Sequence, residues 1–183
     1  MSMGKRILGW SSLWLFLLVL GAPRTEGSTG TGSQTLTATI NPIGSVSVPG
    51  STTLTTSVKT FQPFTGSLAV SYRARTTPTG GGTITLKVSS DFTPTGGPSA
   101  ATGALSYTCS GATLGTACSG TQTASPSSQT PVLALPASGC TGGGGACSSQ
   151  DPNSVNLIFS LTDDPGYVTA SYSANVTFTI SAT

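Results

Sequence analysis

Histidine is absent from the 183-residue chain, and charged residues are scarce, with seven Lys or Arg and five Asp or Glu. Soluble domains usually carry about 25% charged residues, against 7% here. Without histidine, the chain lacks the usual general base of hydrolytic triads. Disordered chains combine high net charge with few apolar residues, whereas this one has a net charge of +2 and 36% apolar residues. The composition therefore predicts a folded protein, and its length suits one domain.

Residues 1–27 differ from the rest of the chain. A short basic start precedes an apolar stretch of 14 residues, Ile7 to Leu20, and small and polar residues follow. A membrane-spanning helix needs about 20 apolar residues, so the pattern predicts a secretory signal peptide over 1–27. Cleavage after Gly27 fits the small-residue rule, cleavage after Gly21 is the other option, and an uncleaved membrane anchor is the alternative. We expect a secreted or cell-surface protein.

The charges that remain after residue 27 balance. They are Lys59, Arg73, Arg75 and Lys87 against Asp91, Asp151, Asp163 and Asp164. Nucleic-acid binding depends on clusters of Lys and Arg that displace counterions, and an anionic membrane surface likewise attracts basic clusters. The sequence has no such cluster, so we expect no nucleic-acid partner and no membrane association after signal cleavage.

Short alternating runs of apolar and polar residues, separated by turn residues, dominate the remaining sequence, and no stretch has helical periodicity. Residues 28–33 are a flexible Gly/Ser/Thr leader, and 34–183 are predicted to form one domain. The clear runs are 36–40, 46–48, 68–74, 84–88, 155–161 and 172–180, with weaker ones at 54–61, 105–109, 118–124 and 132–135. We expect 68–74 and 84–88 to form a hairpin. The pattern predicts an all-β, immunoglobulin-like antiparallel β-sandwich of roughly 8–10 strands, with long Gly/Ser-rich loops at 90–153.

Four cysteines in an exported chain predict disulfide bonds. Cys109 and Cys118 are nine residues apart, and Cys140 and Cys147 are seven apart. Each pair flanks a Gly-containing loop, which favours the two local bonds. The nested pairing, Cys109 with Cys147 and Cys118 with Cys140, is the competitor. Zinc is disfavoured because there is no CxxC spacing and no histidine, so no metal or other cofactor is expected.

The sequence offers few candidates for catalysis. A Ser-Lys pair would need Lys59 or Lys87, but both lie in alternating runs and are expected to face solvent. Asp163 and Asp164 begin an Asp-Asp-Pro-Gly turn, where local backbone hydrogen bonds explain them better than a calcium site, which needs six or more oxygen ligands. We therefore expect a protein that is not an enzyme.

Tyrosines are the remaining aromatic candidates for stacking on a ligand, since both tryptophans lie within residues 1–27. Tyr72 and Tyr172 fall on the apolar phase of their runs, which predicts that both belong to the core. Tyrosines exposed in the 90–153 loops would instead favour a binding module for a glycan, a surface or a protein.

The stretch from Gly166-Tyr167 to the alternating Tyr172–Ile180 resembles the closing strand of bacterial secreted immunoglobulin-like domains. It is similar in particular to spore coat protein U-type pilin subunits. The Thr-rich run Gln34–Ile40 behind its leader resembles that family's donor strand. The resemblance implies that Leu36, Ala38 and Ile40 complete the sheet of a neighbouring subunit.

Two functions therefore stand as hypotheses. The first is an exported structural subunit of a surface appendage or coat, which assembles with itself or with other surface proteins through β-strand complementation. The alternative is a secreted adhesion or ligand-binding module that uses the 90–153 loops.

Overall fold

The computed structural model describes residues 34–56, 60–77, 80–135 and 152–183. These residues form nine β-strands and a single 3₁₀ turn at Ala100–Thr102. The strands are Ile43–Ser47 (β1), Phe64–Arg75 (β2), Gly82–Thr93 (β3), Leu105–Ser110 (β4), Thr116–Ala117 (β5), Thr121–Thr123 (β6), Thr130–Leu135 (β7), Asn153–Leu161 (β8) and Ser173–Ala182 (β9). The predicted all-β fold and its strand number are confirmed. Across the described ranges, no helix is both long and apolar enough to span a membrane.

The strands form two antiparallel sheets that make a sandwich. The first sheet has the order β1-β2-β8-β4-β6, and the second has the order β5-β7-β3-β9. The sandwich belongs to the unit Thr39–Thr183, whereas residues 34–38 belong to a separate unit that ends at Ala38. Within 90–153, where long loops were predicted, the structure places the short strands β4 to β7.

The core lies between the sheets because alternate side chains of each strand point to the same face. Val70 and Tyr72 of β2 are almost fully buried, as are Ile84 and Leu86 of β3 and Leu157 of β8. Among the described residues, no buried side chain is polar or charged. The sandwich is thus held together by apolar burial, which contributes roughly 25 cal/mol per Å².

The predicted hairpin between 68–74 and 84–88 is wrong. β2 pairs with β1 and β8 in the first sheet, and β3 pairs with β7 and β9 in the second. The connection from β2 to β3 therefore crosses from the first sheet to the second. Because each strand has one apolar face, the two strands cover the core from opposite sides. The crossing is fixed at Thr183, whose carbonyl accepts a 3.0 Å bond from Thr77 N and whose N–H donates a 2.8 Å bond to Gly81 O.

Two other predicted strands are not formed as such. Residues 34–40 are exposed and belong to neither sheet. Of the run 54–61, Thr55 forms an isolated bridge with Thr65, and 57–59 lie outside the described residues. Alternation alone therefore identified residues that could be strands, while pairing depends on a neighbouring strand being available.

The disulfide bond Cys109–Cys118 links the end of β4 to the residue after β5, with Cα atoms 5.3 Å apart. The bond therefore joins the two sheets at one end of the sandwich. It is the local pairing, so the nested alternative is wrong. Cys140 and Cys147 lie outside the described residues.

The loop inside this disulfide closes the end of the sandwich. Thr113 N donates to Ser154 O at 3.0 Å, and Ser154 N donates to Thr113 Oγ1 at 3.0 Å. Leu114 N donates to the hydroxyl of the buried Tyr72 at 3.3 Å, and that hydroxyl donates to Leu114 O. The loop thus satisfies a tyrosine hydroxyl that would otherwise be buried without a partner.

Asp91 anchors the turn that follows β3. Its carboxylate accepts bonds from Phe92 N and Ala100 N, both at 2.8 Å, and from the Ser99 hydroxyl. Partial burial alone would raise the pKa of this carboxyl, but these bonds, together with one from Ala101 N, favour the charged form and hold its pKa below the ordinary 3.8.

The stability of the sandwich should be flat between about pH 5 and pH 9 and should fall on both sides. Asp91 has a depressed pKa in the folded state, so its stabilisation is complete above 3.8 and is lost as the pH falls through the folded pKa. Burial raises the pKa of Tyr72 and Tyr107 above 10.0. The free energy of unfolding therefore falls as the pH rises above 10.

Urea unfolding from pH 2 to pH 11 measures this profile. The Asp91→Asn variant should be less stable near neutral pH and should lose much of the acid-side fall. Asp163→Asn, in the segment that follows β8, removes the same charge and serves as the control. An unchanged acid side in Asp91→Asn would contradict the role of this carboxylate.

Replacing both cysteines of the observed disulfide (Cys109→Ser with Cys118→Ser) should lower the free energy of unfolding by about 2.5–3 kcal/mol, because a short closed loop in the unfolded chain is released. Urea unfolding of the double variant against the parent measures the loss. Cys140→Ser with Cys147→Ser measures the predicted second local bond separately, with an expected loss of about 2.5 kcal/mol for its shorter loop. Peptide mapping without reductant should recover Cys109 and Cys118 in one linked pair, and a Cys109–Cys147 link would contradict the structure.

Candidate functional site: the free edge of β9

The two sheets have four edge strands, and one of them is long. β5, β6 and β1 have two, three and five residues, whereas β9 has ten. Within the described part of the chain, β9 pairs with β3 alone. An unpaired edge presents a row of N–H and C=O groups to which another strand can add. β9 is therefore the edge with room for a complete additional strand.

Natural edge strands are usually protected from pairing by charged side chains, proline or bulges. The ten residues of β9 include no charged residue, no proline and no glycine. Its pairing with β3 is regular from Val176 to Ala182, and the register shifts lie before Val176. The last seven residues of β9 are thus regularly paired with β3, uncharged and free of proline and bulges.

The inward face of β9 is only half covered. The three large apolar residues of this face pair with core residues of β3: Ile180 with Ile84, Phe178 with Leu86, and Val176 with Val88. The three β3 side chains are at most 2% exposed, while the three β9 side chains are only partly buried. The core is therefore closed over β3 and open along β9.

β1 of the opposite sheet flanks the same opening. A Cβ on Gly44 would lie 2.9 Å from Ile180 Cγ1, so a larger residue there would force the Ile180 side chain to shift. Val46, two residues further along β1, also packs against the core while remaining partly exposed. We call Val46, Val176, Phe178 and Ile180 the apolar strip.

The predicted donor residues lie outside both sheets. Leu36 is 92% exposed and Ile40 is 72% exposed, and Ala38 between them is exposed as well. Large apolar side chains at such exposure have no burial to stabilise them. The alternation predicted a strand at these three residues, and the resemblance implied that the strand completes a neighbouring subunit; in the structure they belong to neither sheet.

The joint between this segment and β1 is fixed by an arginine that sequence reasoning missed. Arg75, the last residue of β2, donates to the Asn41 carbonyl from Nε at 3.0 Å and from Nη2 at 2.8 Å. Charge-assisted bonds of this kind are stronger than neutral ones. No spacing rule connects residues 41 and 75, so only the pairing of β1 with β2 reveals the contact.

The residues considered for chemistry are dispersed. Lys87 lies opposite Thr177 on the outward phase of β3, and Lys59 lies outside the described residues. Asp164 has the structural role that the turn predicts, because its carboxylate accepts a 2.7 Å bond from Gly166 N. Within the described ranges, no three potential ligands among His, Cys, Asp and Glu gather in a group that could hold a metal ion.

The tyrosines serve the structure. Tyr107, the one tyrosine in 90–153, is buried, and its hydroxyl bonds to Thr130 Oγ1 at 2.7 Å and to Pro131 O at 2.9 Å. Tyr72 is in the core as predicted. Tyr172 is not: it precedes β9, is half buried, and lies against Gly97.

Two shallow grooves on the outward side of the first sheet were also missed. They measure about 630 and 540 Å³ and share Thr55 and Thr65. Hydroxyl side chains dominate their linings, and neither lining includes a charged residue. Because both grooves are shallow and have no aromatic ring in their linings, the edge of β9 is the stronger candidate site.

In comparisons with known proteins, no family model, no curated protein and no solved structure matches this chain.

Proposed function

We propose that this protein is an exported, non-catalytic structural subunit that assembles by β-strand addition at the free edge of β9. The observation that carries the proposal is the combination of a ten-residue edge strand, unprotected over its last seven residues, with an apolar strip left half exposed beside it. An added strand would pair with the backbone of β9 and cover the strip with its alternate side chains.

The segment 34–40 has the properties that such a strand requires. Leu36, Ala38 and Ile40 are spaced by two residues, about 7 Å apart along a strand, which is also the spacing of Val176, Phe178 and Ile180. Neither the segment nor β9 carries a charge, so no ion has to be desolvated when the two pair. The resemblance to spore coat protein U-type pilin subunits gives the same expectation.

Export and the absence of catalysis are parts of the same proposal. The Cys109–Cys118 bond is typical of proteins that fold in an oxidising compartment, in keeping with the signal peptide predicted at 1–27. The whole chain has no histidine, and Lys87 faces outward beside a threonine rather than into a cleft with a nucleophile.

Charge on the inward phase of the donor segment should abolish assembly. Ala38→Lys would place an ammonium group against the apolar strip, where burial of an unpaired charge costs several kcal/mol. Every 1.4 kcal/mol is a factor of ten in affinity. We therefore expect the concentration at which the secreted protein assembles to rise at least a hundredfold, as measured by light scattering and negative-stain microscopy.

Thr37→Lys and Thr39→Lys are matched controls, because they add the same charge on the opposite phase of the same segment. Both should assemble within about twofold of the parent, while deletion of 28–40 should abolish assembly. A monodisperse single-chain particle for the parent, unaffected by Ala38→Lys in size and in exchange of the β9 amides, would overturn the proposal. The 90–153 region would then be the place to search for a ligand.

A further inference from the structure

The two grooves beside β2 meet at one backbone bridge. Thr55 and Thr65 line both grooves, and their backbones exchange two hydrogen bonds, from Thr55 N to Thr65 O at 2.9 Å and from Thr65 N to Thr55 O at 2.8 Å. The first groove extends from this bridge along β2 to Ala69, and the second extends to Ser160 of β8. The grooves therefore adjoin across the bridge, and we call the two together the hydroxyl cleft.

The backbone of β2 lacks a second partner strand where it lines the first groove. β1 pairs with β2 only as far as Ser71, and the next pairing on that side is the bridge Thr55–Thr65. Alternate residues of a strand direct their N–H and C=O groups to opposite sides. Ser67 and Ala69 share the phase of Thr65, so their backbone groups face the groove, and no described residue pairs with them there. The groove thus offers backbone donors and acceptors side by side.

The polar groups of the hydroxyl cleft favour an uncharged ligand that is itself rich in hydroxyl groups. Nine Ser or Thr residues line the two grooves, and neither lining contains a charged residue. Each hydroxyl donates one hydrogen bond and accepts others, as the hydroxyl groups of a sugar do. A charged ligand would lose hydration here without gaining an ionic partner. A neutral sugar fits this chemistry.

Two exposed apolar side chains provide contacts for the apolar faces of sugar rings. Ile158 lines the first groove and is 50% exposed, although its register partner on β2 is Ser67. Phe61 is 62% exposed and lies between Thr60 and Gln62, which both line the second groove. Its φ of 23° is the only positive value of a non-glycine residue in the described ranges. Because strained backbone clusters at ligand-binding sites, this strain supports a binding role for the ring at the rim of the cleft.

The bridge distinguishes between the two kinds of extended polymer that fit a cleft of this shape. A peptide strand adds to a sheet edge through its backbone, and such pairing would stop at Thr65, whose N–H and C=O groups are already bonded to Thr55. A glycan bonds through hydroxyl groups along its whole length. It can therefore cross the bridge over the two threonine side chains, and the continuity of the cleft favours a glycan over a peptide.

We propose that the hydroxyl cleft binds a neutral polysaccharide chain. The backbone groups of Ser67 and Ala69 bond to its hydroxyl groups, while Ile158 and Phe61 contact the faces of its rings. The inference goes beyond the proposed function and does not depend on it. The cleft lies along β2 and β8 of the first sheet, whereas strand addition uses β9 of the second.

Titration calorimetry of the secreted protein with neutral hexasaccharides of glucan, mannan, galactan and xylan tests the inference. We expect at least one of them to bind and to slow amide exchange in residues 66–70. An acidic hexagalacturonate should not bind. Failure of all four neutral probes to bind would overturn the inference. So would slowed exchange in 66–70 with the peptide 34–40 and with none of the glycans, because the cleft would then be a peptide site.

Ser67→Arg should weaken binding of the neutral probe at least tenfold, because a large charged side chain would occupy the first groove. Thr121→Arg is the matched control: it is exposed on β6, two strands from Ile158 on the same face, and should bind within about twofold of the parent. Equal affinity in Ser67→Arg and the parent would contradict the site. Ser67→Arg should assemble like the parent, so loss of glycan binding and loss of strand addition are distinguishable.

Phe61 separates a binding role from a structural one. Phe61→Gly should weaken binding at least fivefold without lowering the urea midpoint, because glycine adopts positive φ without strain. Phe61→Tyr keeps a ring and should keep the parent affinity. A lower urea midpoint with unchanged affinity in Phe61→Gly would assign the ring to stability and would contradict its place in the cleft.

Discussion

The structure depends on one constraint: its edge strand β9 has an apolar inner face but a neighbouring strand on one side only. β9 contributes Val176, Phe178 and Ile180 to the inner face of its sheet, but a strand with one neighbour cannot be covered from both sides. Exposed apolar surface costs roughly 25 cal/mol per Å², and an unpaired edge adds a row of backbone groups that only water satisfies. The core is closed at the neighbouring strand β3, where Ile84, Leu86 and Val88 are buried, yet β9 itself retains a surface that another strand would stabilise.

The scarcity of charge explains why this edge is unprotected. Hydroxyl side chains take the outward positions, as where Thr83 Oγ1 and Ser181 Oγ lie 3.1 Å apart on adjacent strands. Hydroxyls are compatible with water and with a neighbouring strand alike, whereas lysine at an edge resists pairing. A surface of this kind stays wet without repelling another copy of itself. The low charge of the sequence would thus lower the free-energy cost of adding a strand at this edge.

The sequence predicted the inward and outward phases of the strands well, because a period of two depends only on the order of residues. Val70, Tyr72, Ile84 and Leu157 are buried as the alternation indicated. It could not predict neighbours, since alternation is the same for a central strand and for an edge. The hairpin between β2 and β3 failed for this reason, and so did the placement of 34–40 in a sheet. The contact of Arg75 with Asn41 required the register of β1 on β2, which no local pattern encodes.

The two sides of the sandwich differ in how they are closed. On one side, β5 and β6 are too short to recruit a strand, and the disulfide Cys109–Cys118 with its loop joins the sheets by covalent and hydrogen bonds. On the other side, Gly44 allows β1 to approach Ile180, but within the described ranges β9 pairs with β3 alone and its second edge is free. Under the proposed function, a molecule closed at one side and open at the other would accept a strand at its open side only. Under the same proposal, the segment 34–40 supplies a strand whose apolar residues have the matching period of two.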